Sequence, residues 1–437
     1  MLHQGHINLL RRAKKLGDYL IVGVTSDNFD LERGKLNVRN NVLERVEAVR
    51  KTGLADQIII EDYVGQKIDD IQKYGVDIFT VGSDWEGHFD YLKEYCDVVY
   101  LPRTEGISST ILRAESQFEC RFGIVGTGRI AKRFVKECGF VNGAIPAAVC
   151  NPIPGEAALF AQQHDIHNYY LDFDAMLPKI DAVYVASPHL THYDYCKRAL
   201  EAGKNVLCEI PFVFAKKQAE ELYSLAERKG LMLMVANKTA FCPAFNHLVT
   251  LVKSKVIGEV VDVDASMSKL VSEDPRILDP NQAGGSVTEL APIPLMAIVK
   301  LLGRDSKDIH FYSKMKDNVD IFTRGTFVYQ NATASIKLGL GVKTEGNLVV
   351  SGTQGYIYVP APWWLTSYFE VRYEDQNKNK SFFYAFDGEG LRYEIKSFLS
   401  SIMNRQVVTY QFGRKDSIKL VEIYEQYRCG KNVSIIE

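Results

Sequence analysis

At 437 residues and 49.3 kDa, the chain is long enough for two or three ordinary domains with cores of their own. Hydrophobic residues make up 46% and charged residues 24%, as in a soluble globular protein, and no charged leader followed by an apolar run opens the sequence. A formal net charge of -2 removes any bulk electrostatic reason to expect nucleic acid or an anionic membrane as partner.

Residues Ile7 to Leu16 place apolar side chains at helical spacing, and the run YLIVGVTSD that follows reads as a buried strand. NVLERVEAVRKTG then puts Val42, Val46 and Val49 on one helical face, before the short apolar runs QIIIED, DIFTVGSD and DVVYLP. Strands alternating with helices predict a parallel sheet with its binding groups at the carboxyl ends of the strands. Those ends carry Ser26, Asp27, Gly82, Asp84 and Arg103. The basic run of Arg11, Arg12, Lys14 and Lys15 is read as one solvated helix face.

A second start comes at CRFGIVGTGRIAKRFV, where a strand runs into Gly126-x-Gly128-x-x-Ala131 and then a helix. That context is the one a dinucleotide fingerprint requires: glycines for a tight turn and close approach, and a helix N-terminus for the pyrophosphate. DAVYVASP, NVLCEIP and MLMVANK continue the alternation to about residue 240. The longer runs GEVVDVDASMSKL, GTFVYQNATASIKLGLG, NLVVSGTQGYIYV and YFEVRYED follow with few helices between, and predict a mostly antiparallel sheet. The expected fold class is α/β, in three parts: residues 1–116 form a domain with a parallel sheet, 117–240 a dinucleotide-binding Rossmann domain, and 241–437 an α+β domain with a mostly antiparallel sheet.

His3 and His6 stand three apart at a helix start, so both can lie on one face near backbone N–H groups that favour phosphate; taken alone, such a pair is better explained by a surface or capping role. About 100 residues later, LPRTEGISSTILRAE leads Arg103, Thr104, Ser108 and Ser109 from a strand into a helix, a second entrance suited to an anion. Two such entrances on one parallel sheet favour phosphate chemistry.

H-x-G-H together with GDYLIVGVTSD, GSDWEG and RTEGISST resembles the glycerol-3-phosphate cytidylyltransferases of the nucleotidyltransferase superfamily, over nearly all of residues 1–115. The resemblance implies a Rossmann-like nucleotidyltransferase fold for residues 1–116 and a reaction of CTP with glycerol 3-phosphate that gives CDP-glycerol and pyrophosphate. Magnesium would travel with CTP, since no protein metal cage is evident. The acceptor phosphate itself attacks the α-phosphorus in such enzymes, so catalysis is positioning and charge stabilisation. Carried over, His3 and His6 hold the triphosphate and Lys35 and Arg45 contact phosphates. Asp84 faces the nucleotide or acceptor, and Arg103, Thr104 and Ser108 take the CTP phosphates. Family members begin with a buried strand and a Gly-Thr-Phe-Asp-like turn before H-x-G-H. With neither in this sequence, a form shortened by roughly ten residues is expected.

From residue ~120 onward, GIVGTGRIA, ASPHLTHYDYCKRALEAGKNVLCEIPF, FCPAF, GGSVTELAPIPLMAIVKLLG and SGTQGYIYVPAPWW resemble the Gfo/Idh/MocA oxidoreductases. The resemblance implies NAD or NADP as cofactor, with Gly126, Gly128, Ala131, Asn151, Ser187, Pro188, His192 and Glu209 around it. About 20 residues past the glycines, AAVCNPIPG offers Asn151 but neither an acid nor an arginine, so the choice of dinucleotide stays open. The family's Glu-Lys-Pro is Glu209-Ile210-Pro211 here, and a usual His or Tyr aligns with Ile293, so two acid/base positions are empty. Glu289, His189, His192, Lys238 and Tyr393 are the candidates to substitute.

Three readings follow: a cytidylyltransferase with an oxidoreductase-like module attached, an NAD(P)-dependent oxidoreductase of a sugar or polyol phosphate, and a second module that binds dinucleotide without turning it over. Small-molecule substrates are expected, with no nucleic acid and no membrane insertion, and a homo-oligomer on family grounds. The eight cysteines include no C-x-x-C, which fits reduced thiols and a cytoplasmic location.

Overall fold

In the computed structural model, the described residues are all but 1, 3, 27–40, 63–65, 88, 103–117, 271–274, 385, 407, 408 and 410; the side chains of Gln4, Asp84 and Pro275 also lie outside the description. The chain divides into two compact units, Met1–Gln117 and Phe118–Glu437.

The first unit alternates helix and strand as the periodicity predicts: α1 (Gln4–Lys14), β1 (Ile21–Thr25), α2 (Val42–Lys51), β2 (Gln57–Glu61), α3 (Gln66–Tyr74), β3 (Ile78–Gly82) and β4 (Asp97–Leu101). Helix α2 starts where a capping box specifies it. The Asn41 side chain accepts from Glu44 N–H at 3.0 Å, and the Glu44 carboxylate accepts from Asn41 N–H at 3.1 Å, an arrangement of about 1 kcal/mol. Val42, Val46 and Val49 face Val22 and Val24 of β1 and form one small core. Ile71, Phe89 and Leu92 form a second against β3 and β4. The strands pair as β1 with β2 and β3 with β4, both parallel, and no ladder joins the two pairs among the described residues. The parallel pairing is the one that the alternation predicts, and each pair has a core of its own.

The second unit opens with a six-stranded, all-parallel sheet. Its strands are β5 (Cys120–Val125), β6 (Ala144–Cys150), β7 (Asn168–Tyr170), β8 (Ala182–Val185), β9 (Asn205–Glu209) and β10 (Leu233–Ala236). Their spatial order is β10-β9-β8-β5-β6-β7. This is the doubly wound order, whose switch point lies between β5 and β8, where two loops diverge and leave a crevice. Helices α4 (Arg129–Cys138), α5 (Glu156–Gln163), α6 (His192–Glu201), α7 (Lys216–Lys229) and α8 (Pro243–Lys253) accompany these strands.

Nine strands then form the second sheet: β11 (Val260–Lys269), β12 (Asp308–Lys316), β13 (Val319–Val328), β14 (Thr333–Leu340), β15 (Leu348–Gly352), β16 (Tyr356–Val359), β17 (Tyr368–Arg372), β18 (Lys380–Phe383) and β19 (Val433–Ile436). The order is β18-β17-β16-β15-β11-β14-β13-β12-β19, antiparallel except for the β11/β14 and β12/β19 pairs. Helices α9 (Ser286–Leu290) and α10 (Pro292–Leu302) precede β12, while α11 (Leu391–Met403) and α12 (Arg414–Arg428) lie between β18 and β19. Helix α11 returns to pack on α4, so one core runs from Phe122 and Phe134 through Phe398 to Trp363. Each such side chain contributes about 1.5–3 kcal/mol when fully buried. No single helix among the described residues is long and apolar enough to cross a membrane.

Candidate functional sites

In the first unit, His6 sits in the first turn of α1 with its side chain exposed. Arg12, further along α1, donates to the Pro102 carbonyl just beyond β4, which ties the helix to the strand pair β3/β4. Arg45 leaves α2 and donates to the Thr25 carbonyl at 2.5 Å, so its guanidinium lies at the carboxyl end of β1, beside the buried Ser26. Residue 84 follows β3 in a short turn of 3-10 helix, again at a carboxyl end. His3, Lys35, Arg103, Thr104 and Ser108 lie outside the described residues.

In the second unit, the glycine-rich turn stands at the switch point. Gly126 has φ +101°, and a Cβ there would meet the Ala186 carbonyl oxygen at 2.5 Å, so only glycine lets the loop after β5 pass the loop after β8. A Cβ on Gly128 would meet nothing within 4 Å, and Gly128 caps α4 with no side-chain hydrogen bond to the first N–H groups. The space beside Gly128 and the positive end of the helix dipole fit the pyrophosphate of a dinucleotide. Ala131 is wholly buried on the core face of α4. Asn151 follows β6, and its Nδ2 donates to Thr127 Oγ1 at 2.8 Å within the glycine turn.

Ser187 and Pro188 line the other side of the crevice; His192 serves as a strut between loops. Its Nδ1 lies 2.9 Å from the Pro211 carbonyl and its Nε2 2.9 Å from the Ser187 carbonyl. Burial pushes its pKa down while the carbonyl bonds raise it, and the net direction is down. A neutral ring can donate to only one of the two oxygens. The imidazole thus stands between the loops after β8 and β9, with one N–H to donate to a carbonyl of either loop.

Glu209 ends β9 and accepts from the buried Tyr184 hydroxyl and from Ile210 N–H. Burial lifts its pKa to about 7, against the lowering effects of Tyr184, the Ile210 N–H and Lys238. Glu394, on α11, is fully buried; neither carboxyl oxygen has a hydrogen-bond partner among the described residues. Burial first, and then Glu209, raise its pKa well above the carboxylate range, while Lys238 opposes them. With Glu394 buried and Glu209 partly buried beside it, both carboxyl groups are raised by desolvation, so the pair holds a proton near neutral pH. Lys238 Nζ also donates to the Glu389 carbonyl at 2.7 Å.

A second polar cluster joins the loop after β8 to α9. Arg276 donates to Glu289 Oε1 at 3.0 Å and approaches His189 Nδ1 at 3.3 Å. Arginine has no acceptor, so the His189 proton belongs on Nε2. Burial, then Arg276 and His192, lower the His189 pKa to about 3, which keeps the ring neutral. His189 also lines a cleft of about 460 Å³ with Tyr193, Phe214, Gln218 and Arg428. Tyr393 OH is occupied, accepting from Asp387 N–H at 2.9 Å. Glu394, Tyr184 and Arg276 escape sequence reading because each sits in an ordinary apolar or loop context and acquires its partners only through long-range packing.

Residues 1–115 match the cytidylyltransferase-like family model, and residues 120–237 match that of the oxidoreductase family with NAD-binding Rossmann fold. The glycerol-3-phosphate cytidylyltransferase of Bacillus spizizenii is 47% identical over 115 residues, 26% of this chain and 88% of that protein. The enzyme of the same name from Staphylococcus aureus is also 47% identical, over 120 residues and 86% of its length. The trans-1,2-dihydrobenzene-1,2-diol dehydrogenase of Sus scrofa is 26% identical over 328 residues, covering 72% of this chain and 97% of its own. Among solved structures, a 3-ketoreductase from Actinomadura kijaniata in complex with NADP and TDP-benzene superposes with TM-score 0.66 at 21% identity, over 73% of this chain and 100% of that one. A levoglucosan dehydrogenase in complex with NADH and levoglucosan gives TM-score 0.65 at 16% identity, over 72% and 97%. These two likenesses extend the doubly wound fold and its companion sheet to known examples. Through residues 1–115 the chain belongs to the glycerol-3-phosphate cytidylyltransferase family, and to that unit it joins a second that resembles the Gfo/Idh/MocA NAD(P)-dependent oxidoreductases.

Proposed function

We propose that the first unit joins CTP to glycerol 3-phosphate, or to a related polyol phosphate, giving the CDP-polyol and pyrophosphate. The observation that carries this reading is 47% identity across a stretch that includes both H-x-G-H and RTEGISST. An oxygen of the acceptor phosphate attacks the α-phosphorus of CTP, the α–β phosphoanhydride bond breaks, and pyrophosphate leaves. Negative charge grows on the departing phosphates, so the chain supplies donors and cations and no nucleophile. His3, His6, Lys35, Arg45, Arg103, Thr104 and Ser108 are the proposed donors, with Asp84 on the nucleotide or acceptor side and magnesium arriving with CTP. The test is pyrophosphate release by the full chain from CTP and magnesium, compared across glycerol 3-phosphate and longer polyol phosphates. A preferred acceptor identifies the product; release with none rejects the reading.

For the second unit we propose NAD(P)-dependent oxidation or reduction of a sugar or polyol phosphate, carried out by residues 118–240 for the cofactor and 241–437 for the substrate. The uncapped helix at Gly128 and the proton-holding pair Glu209 and Glu394 favour it. A bound nicotinamide supplies or accepts the hydride, and the chain moves the accompanying proton. With Ile210 in place of lysine, Glu209 is the group at the end of β9 able to hold that proton near neutral pH, with Lys238 beside it. Calorimetry with NADH and NADPH, combined with absorbance at the nicotinamide wavelength, separates a catalyst from a binding module: heat without turnover identifies the latter.

A further inference from the structure

We propose that Glu156 is the residue by which the second unit selects NAD(H) over NADP(H). This rests on the dinucleotide reading of the Gly126–Gly128 turn. In such folds the adenosine ribose lies between the glycine turn and the end of the second strand, where an acid binds the 2′-hydroxyl or an arginine takes a 2′-phosphate. The residue at the end of β6 is Asn151, which carries no charge.

Its side chain is also committed. Asn151 Nδ2 donates to Thr127 Oγ1 at 2.8 Å, and Oδ1 accepts from Ile153 N–H at 3.0 Å. Thr127 has one hydroxyl hydrogen, and it goes to Glu156 Oε2 at 3.3 Å. The three side chains form a directed relay, Asn151 to Thr127 to Glu156, that ends on a carboxylate. Gly155, at φ +85°, turns the chain so that Glu156 begins α5 facing the glycine turn. The acid that the end of β6 lacks is thus delivered five residues later, with its other oxygen available to accept from ribose hydroxyls.

A 2′-phosphate at the same place would meet that carboxylate. The segment Asn151-Pro152-Ile153-Pro154-Gly155-Glu156 contains no lysine or arginine to receive it. The cation that follows the glycine turn directly is Arg129, exposed on the first turn of α4. Because Glu156 is exposed, the repulsion is screened by salt, and the preference should widen as ionic strength falls.

The experiment is calorimetric titration of the full chain with NADH and with NADPH, at low and physiological salt, in the native protein and in Glu156→Gln and Glu156→Arg. The expected result is at least tenfold tighter binding of NADH, a ratio that shrinks severalfold in Glu156→Gln and inverts in Glu156→Arg, with melting temperatures unchanged. Equal or tighter binding of NADPH by the native protein overturns the proposal and points to Arg129 as a phosphate clamp. An unchanged ratio in Glu156→Gln also overturns it. Binding of neither dinucleotide removes the cofactor reading itself, a failure distinct from loss of selectivity.

Discussion

Glu394 holds its whole carboxyl group inside the second unit, next to Glu209 and Lys238, and this placement makes the stability of the unit depend on pH. Both carboxyl groups bind their protons more tightly in the folded chain than in an unfolded one. Between the ordinary carboxylate range and about pH 7 for Glu209, and to higher pH for Glu394, the folded state carries more protons. Their contribution is therefore complete below that range and is lost as pH rises through it. Replacing Glu394 by Gln removes the charge at nearly constant shape. The variant should melt higher than the native protein at pH 8 and close to it at pH 5, by roughly 2–4 °C per kcal/mol relieved. Equal shifts at both pH values, read by calorimetry, would contradict the assignment. Gly126 offers a second test at this scale. In Gly126→Ala the new methyl meets the Ala186 carbonyl at a φ that costs about 1–3 kcal/mol, and NADH binding should disappear.

Helix α11 is held on α4 by Arg392, which donates twice to the Glu137 carboxylate at 3.0 Å while Arg392 N–H adds a third bond at 3.2 Å. Burial raises the Glu137 pKa, but Arg392 and two backbone N–H groups more than offset it and hold the group below its usual range. Arg392→Ala strands that carboxylate in the interior and should cost about 3–5 kcal/mol in urea unfolding, more than Arg392→Lys. A loss under 1 kcal/mol would show that the pair is solvent-screened. Elements of this kind mark the limit of the sequence reading. The 3.6-residue pattern of Val42, Val46 and Val49 and the Gly126–Gly128 turn could be located from local spacing, because the cause of each structure lies within a few residues. The pairing of residues 137 and 392, the return of α11 and the delivery of Glu156 to the glycine turn depend on contacts between distant or loop residues. His192 illustrates the same limit: its local sequence gives no sign that its ring stands between the Pro211 and Ser187 carbonyls, each 2.9 Å from a ring nitrogen.

At the scale of the whole chain, two units with separate cores each carry a helix start, that of α1 and that of α4, proposed above to take phosphate. Ligands for the two should act on different unfolding transitions. A ligand present at 100 times its dissociation constant stabilises the state that binds it by about 2.7 kcal/mol. CTP with magnesium is expected to raise only the transition of the first unit and NADH only that of the second; one transition shifted by both ligands would contradict the division of labour. The most direct measurement of the central claim is phosphorus NMR of the full chain with CTP, magnesium and glycerol 3-phosphate. The account predicts pyrophosphate and CDP-glycerol in equal amounts, formed at least about 100-fold more slowly by His6→Ala. Unchanged CTP, or an equal rate from His6→Ala, would contradict it.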